Sequence, residues 1–246
     1  CWEITEGLRQ RGHNVQVLTS RYGVPRPVKD GHVRRALFLE SNLQHYSPVR
    51  FLARRRQEER YNIHALRSAL AETAPDAVLF RGMWNLSRRL PASAESTDVP
   101  VGYWLGDLWP LDTDMHTRYW RSAADCRSGH LLLSWAANWA LRGLAAEGYP
   151  PALQFRHAAC GSQFLKRKLA AEVPAFRDAK VVLCGADLAM FAHCQPHRRL
   201  FSPTAPRIIY VGGLGPHKGV HTAVEALSRL LGQEPGLQPG LTIVGS

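Results

Sequence analysis

An α/β fold built on a parallel sheet is predicted by three observations. Short apolar runs rich in β-branched and aromatic residues recur along the chain, bounded by Gly, Pro or Asp. Between them lie longer stretches with apolar residues at helical spacing. The two patterns alternate, which favours crossover connections and hence parallel strands with helices on both faces.

Taken in order, Trp2 to Arg11 reads as a helix with Ile4 and Leu8 on one face and Gly12 as a left-handed cap. Asn14 to Thr19 follows as a strand, Tyr22 to Asp30 as a loop and Val33 to Leu39 as a strand. A long helix is predicted from Pro48 to Thr73, with Ile63, Leu66 and Leu70 facing inward. Its arginine-rich first half opposes the helix macrodipole, so it is either a solvated face or a surface for an anionic partner. Pro75-Asp76 turns the chain into a strand over Val78-Leu79-Phe80, and a polar linker with Pro91 and Pro100 leads to the strand Val101 to Leu105. His116, Tyr119 and Trp120 read as a polar-aromatic lid. Leu131 to Leu144 is a predicted helix whose Trp135 and Trp139, at i and i+4, belong in the core rather than on a ligand platform. A short strand over Gln154 to Ala159, a helix Gln163 to Ala171 capped by Ser162, and a strand Lys180 to Leu183 complete this part.

The 246 residues suffice for one large or two modest domains, and 45% hydrophobic with 21% charged residues describes a globular chain. A net charge of +11 suits an acidic partner. The basic residues fall in scattered clusters rather than one block, and nucleic acid is not the expected partner. Five cysteines without a paired spacing point to reduced thiols and a cytoplasmic protein, and give no metal-ligand pattern. No apolar run approaches the roughly 20 residues of a membrane span.

The most informative stretch is Ile208 to Leu231. An apolar strand, Ile208-Ile209-Tyr210-Val211, leads through Gly212-Gly213-Leu214-Gly215-Pro216-His217-Lys218-Gly219 into an amphipathic helix. A helix N-terminus offers free N–H groups to an anion, glycines let the backbone approach a phosphate, and Lys218 adds a full charge. The expected ligand is a phosphate or diphosphate; the alternative is an ordinary turn with a solvated lysine. Neither a Walker A loop nor the dinucleotide G-x-G-x-x-G pattern fits, because Lys218 precedes Gly219 and occupies the third glycine position.

This stretch resembles the donor-domain entry of GT-B glycosyltransferases of family 4, an apolar strand, Gly-Arg, a short loop and Lys-Gly before a helix. Gly212, Lys218 and Gly219 match, and Gly213 stands where the family has arginine. Four further segments are similar, in family order: Arg11-Gly12-His13 with Val15 to Thr19; Pro75-Asp76 with its strand; Gly106-Asp107-Leu108-Trp109; and Gly185, Asp187 and Phe191 after Cys184. Gly106 stands in place of the family's histidine and Cys184 in place of its asparagine. His13 sits at a helix-to-strand turn, which favours a structural role over that of a catalytic base.

The resemblance implies a GT-B fold of two Rossmann-like domains, the second represented by its first βαβ unit. The expected divisions are an acceptor-side domain over 1–196, a linker over 197–206, and the start of a nucleotide-sugar domain over 207–246. It implies sugar transfer from a nucleotide-diphosphate sugar to an acceptor (a glycan, lipid or small molecule) with retention and with no metal or other cofactor. Lys218 would stabilise the leaving diphosphate, Gly212, Gly213 and Gly219 would line the donor site, and Gly185 and Asp187 would mark the hinge. Asp107 would accept sugar hydroxyls and Trp109 would stack on a sugar face; an Asp turn with a packed tryptophan is the competing reading. The lid would lie on the acceptor side, and the arginine-rich helix would touch an anionic membrane at the inner surface. A non-catalytic nucleotide- or partner-binding module and a sugar-nucleotide epimerase are the alternatives on the same fold. The sequence starts at Cys1 in helical pattern and stops after a strand, so it is expected to be a fragment, inactive alone.

Overall fold

The computed structural model describes residues 2–41, 45–83, 85–125, 131–185, 188, 192 and 204–245. It forms two compact units, Cys1–Ala186 and Asp187–Ser246.

The first unit opens with α1 (Trp2–Gln10). Gly12 takes φ +90°. The N–H groups of Gly12 and His13 donate to the carbonyls of Arg9 and Leu8 at 2.9 and 3.2 Å, the paired bonds of a Schellman cap. His13 thus serves the helix end through its backbone. The expected inward face is corrected: Ile4 is 43% exposed, and Thr5 is the buried residue of α1.

β1 (Val17–Ser20), β2 (Val28–Asp30) and β3 (Val33–Leu37) form a sheet in the order β1-β3-β2. β1 runs parallel to β3, and β2 antiparallel to it. The predicted loop from Tyr22 to Asp30 therefore ends in an edge strand, which turns through Gly31 at φ +55°. Its prolines and charges suit an exposed sheet edge as well as they suit a loop.

α2 (Pro48–Thr73) has the predicted bounds. Ser47 accepts the Arg50 N–H at 3.2 Å, Pro48 fills the first helical position, and Ala74 ends the helix in the left-handed region. Leu66 is buried, with Ile63 and Leu70 half-buried beside it.

A second sheet, parallel throughout, carries β4 (Val78–Arg81), β5 (Val101–Leu105), β6 (His157–Cys160) and β7 (Lys180–Val181) in that order. The stretch expected to be a polar linker contains α3 (Arg89–Glu95), with Leu90, Pro91 and Ala94 buried. Pro91 is tolerated because it falls in the first turn, where its missing N–H would have no intrahelical acceptor. α4 (Met115–Ala124), α5 (Leu131–Ala146) and α6 (Gln163–Glu172) follow, α6 capped by Ser162 accepting the Leu165 N–H at 3.1 Å.

One core gathers Tyr103 and Leu105 of β5 with Leu66, Leu90, Leu169 and Phe176. A second joins Phe51 of α2, Trp120 of α4 and Ala137, Ala140 and Leu144 of α5. Each fully buried large side chain contributes roughly 1.5–3 kcal/mol. Two expectations are corrected here. His116 and Trp120, predicted in a lid, are 3% and 1% exposed inside α4. Trp135 and Trp139, predicted in the core, are 71% and 60% exposed, because they flank the polar stripe of Ser134, Asn138 and Arg142 while the alanine face packs inward.

The second unit is a βαβ unit. β8 (Arg207–Val211) and β9 (Gly240–Val244) pair in parallel across α7 (Val220–Gln233). Among the described residues no helix is long and apolar enough to cross a membrane.

Candidate functional site

β8 delivers the chain into a glycine turn. A single 3-10 turn, Pro216–Lys218, follows before α7. Gly219 takes φ +73° and precedes the first residue of α7. The amides of Gly212, Lys218 and Gly219 are engaged, donating to Val244, Gly215 and Pro216 at 3.0, 2.9 and 3.2 Å. The amides of Gly213, Leu214 and Gly215 have no acceptor among the described residues. Lys218 is exposed, and its ammonium has no partner among them. Tyr210, which sequence reasoning read only as a strand residue, fixes the loop: its hydroxyl donates to the carbonyl of Gly213 at 2.9 Å, with that of Lys218 at 3.2 Å. A Cβ on Gly212 would lie 3.1 Å from this hydroxyl, a tight contact that a larger residue would make only by displacing it.

In the first unit, Gly106 to Leu111 follow the C-terminal end of β5, the end at which open α/β sheets bind ligands. Asp107 is exposed and accepts the Trp109 N–H at 3.2 Å, an Asx turn that uses one oxygen. Trp109 is 3% exposed, its ring packed against Tyr103 and Phe155 and its carbonyl held by Arg88 at 2.6 Å. The packed reading of this tryptophan holds, and its face is not open for stacking on a sugar. Trp104 explains Gly106. Its Nε1–H donates to the Val182 carbonyl at 3.1 Å, and its ring lies 2.8 Å from where a Cβ on Gly106 would stand. Of the hinge residues, Gly185 is exposed, and Asp187 lies outside the described residues.

A buried polar cluster lies past β3 and at the start of α4. Asp114 caps α4, accepting the Thr117 N–H at 2.8 Å, while its second oxygen is buried without a partner. The Glu40 carboxyl is enclosed and accepts a short hydrogen bond from the Tyr149 hydroxyl. Burial pushes Glu40 up to about 7, against the Tyr149 bond and with help from the charges of Asp114 and Glu59. His116 pairs its Nδ1 with the Tyr46 hydroxyl at 2.9 Å. Burial, then Arg55 and Arg50, lower its pKa to about 3, so the imidazole is neutral. A cavity of about 20 Å³, room for one water, is lined by Glu40, Arg50, Arg55, Asn62 and His116 among others. These groups escape sequence reasoning because Glu40 and Tyr149 are 109 residues apart.

The arginines of α2 are also resolved. Arg55 is buried and bound to Glu59 at 3.0 Å and Glu147 at 2.6 Å, and Arg50 pairs with Glu58 at 2.9 Å. Arg54 and Arg60 are exposed. The helix start is therefore neutralised in part from within the chain, a contribution the sequence did not disclose. Of the described cysteines, Cys160 is buried and Cys184 exposed, both free. Among the described residues no group of three His, Cys, Asp or Glu is placed to hold a metal.

No curated protein matches the chain. A family model described as Glycosyltransferase Family 4 matches residues 1–190. That span takes in the first unit, with its parallel sheet, its crossover helices and the Asp107 loop. With well over half its length matched, the chain belongs to Glycosyltransferase Family 4.

Proposed function

We propose that the protein transfers a sugar from a nucleotide-diphosphate sugar to an acceptor, with retention, on a GT-B scaffold. Residues 1–196 would be the acceptor side, 197–206 the linker and 207–246 the donor side. The observation that carries this reading is the exposed ammonium of Lys218 beside the unengaged amides of Gly213, Leu214 and Gly215 at the entrance to α7. The diphosphate carries two negative charges in the nucleotide sugar and gains a third as the bond to the sugar breaks, and such preorganised donors stabilise it. The contribution of Gly212 and Gly219 is conformational, since their amides are spent within the fold. Asp107 keeps one carboxylate oxygen for a sugar hydroxyl. Gly185 and Asp187 would serve as the hinge, no metal takes part, and the reaction is cytoplasmic, with the arginines of α2 open to peripheral contact with an anionic membrane.

A non-catalytic nucleotide-binding module is favoured by one specific observation, that Trp104 fills the place of a side chain at 106. Incubation with a panel of nucleotide sugars distinguishes the two. Nucleoside diphosphate released only when an acceptor is present supports transfer, and binding without turnover supports the module. Lys218→Ala is expected to weaken nucleoside diphosphate binding by about 1.5–3 kcal/mol, the scale of a charged hydrogen bond. Unchanged affinity in titration calorimetry removes the donor site from this loop.

A further inference from the structure

A second cationic site lies in the first unit, in an open cleft of about 440 Å³ lined by Arg56, Glu59, Arg60, Ile63, Arg89 and Glu147. Its centre is the Glu147 carboxylate, which is held by three guanidiniums. Arg55 Nη2 stands 2.6 Å from it, Arg56 Nη2 2.8 Å and Arg89 Nη2 3.4 Å. Forked guanidiniums converging on one carboxylate form the geometry that also grips phosphate. Burial works against the charge of Glu147, and the Arg55 and Arg56 bonds more than offset it, so its pKa lies below the ordinary carboxylate value. The carboxylate is thus a tethered anion in an anion-binding place.

The charges do not balance. Four arginines, counting Arg55 beneath the cleft and Arg60, face the two carboxylates Glu59 and Glu147. Arg60 is exposed and has no ion-pair partner among the described residues. It lies one helical turn after Arg56, whose side chain is 73% exposed. Like charges at this spacing destabilise a helix unless an anion lies between them. Ile63, one position short of the next turn, adds an apolar wall.

We infer that this cleft binds a phosphate-bearing ligand, its phosphate bridging Arg56 and Arg60 and competing with Glu147 for Arg56. Every residue named belongs to the first unit, and the diphosphate loop belongs to the second. It stands or falls independently of the transfer reading. The phosphate can belong to a soluble phosphomonoester or to a phospholipid headgroup.

The test uses the whole chain and two probes. Inorganic phosphate is titrated by calorimetry, and vesicles of phosphatidylcholine with and without phosphatidic acid are co-sedimented. Arg60→Ala leaves every described ion pair intact and is expected to weaken phosphate binding roughly tenfold or more. Lys218→Ala is expected to leave the Arg60-dependent part of this binding unchanged, which separates it from the donor site. Glu147→Gln is expected to tighten phosphate binding several-fold, an effect a purely structural glutamate would not produce. Sedimentation with phosphatidic acid vesicles that Arg60→Ala abolishes assigns the ligand to a lipid, and phosphate binding without sedimentation assigns it to a soluble molecule. Absence of phosphate binding, or binding that neither Arg60→Ala nor Arg56→Gln alters, overturns the inference.

Discussion

Trp104 occupies the space that any side chain at 106 would need. Gly106→Ala is therefore expected to cost about 1–3 kcal/mol through overpacking, read by urea denaturation. The cost should shrink in a Trp104→Ala background, because the two positions share one clash. Glu40 makes a prediction of a different kind. Folded, it holds its proton up to about pH 7; unfolded, it ionises near its ordinary 4.5. Over that window the native state binds more protons than the unfolded one, so this group removes stability as pH rises, by about 3 kcal/mol in all. His116 acts oppositely. It stays neutral in the fold down to about 3, while the unfolded chain protonates below 6.5, so it removes stability as pH falls. The two effects oppose each other between pH 4.5 and 6.5. Glu40→Gln deletes the first, and stability should then climb with pH to about 6.5 and level off, as measured by denaturant midpoints across pH. An unaltered profile would show that Glu40 is ionised in the native state.

At the scale of elements, legibility tracked local chemistry. The bounds of α2 could be read because Ser47, Pro48 and the chain reversal at Ala74 act within a few residues. Ser162 was readable for the same reason. α3 was not, because Pro91 signals a linker unless one knows that it falls in a first turn. The periodicity of α5 gave the helix, but its orientation was missed: Trp135 and Trp139 lie beside the polar stripe of Ser134, Asn138 and Arg142, and the alanine face packs inward. The candidate donor loop was legible as strand, glycines, lysine and helix. Its organising hydroxyl on Tyr210 was not, because that role depends on a loop conformation no pattern encodes. Least visible was the network that joins elements. Glu147, just past α5, ties Arg55 and Arg56 of α2 to Arg89 of α3. Glu147→Gln is expected to lower stability by about 1–2 kcal/mol, because buried Arg55 loses one of its two carboxylates and keeps Glu59. Thermal unfolding measures it, and the loss should accompany the tighter phosphate binding described above.

On the scale of the whole molecule, the predicted α/β class is met by each unit in its own way. Four parallel strands carry the larger one, and a single βαβ step makes up the smaller. The net charge of +11 is spread over several clusters, and Lys218 in one unit and the Arg56–Arg60 face in the other are two of its exposed sites. Both present unbalanced cations to solvent, so binding at either should weaken as salt is raised.

The first unit carries two sheets that share no strand among the described residues, β1 pairing with β3 and β4 with β5. Leu79 projects from β4 at 58% exposure. A leucine exposed on a strand of high β-propensity is a point at which copies associate. Leu79→Lys should reduce light scattering on concentration while changing folding stability by less than about 0.5 kcal/mol, the usual range for an exposed site. The behaviour of this chain at high concentration is thus expected to turn on one leucine more than on its polar surface.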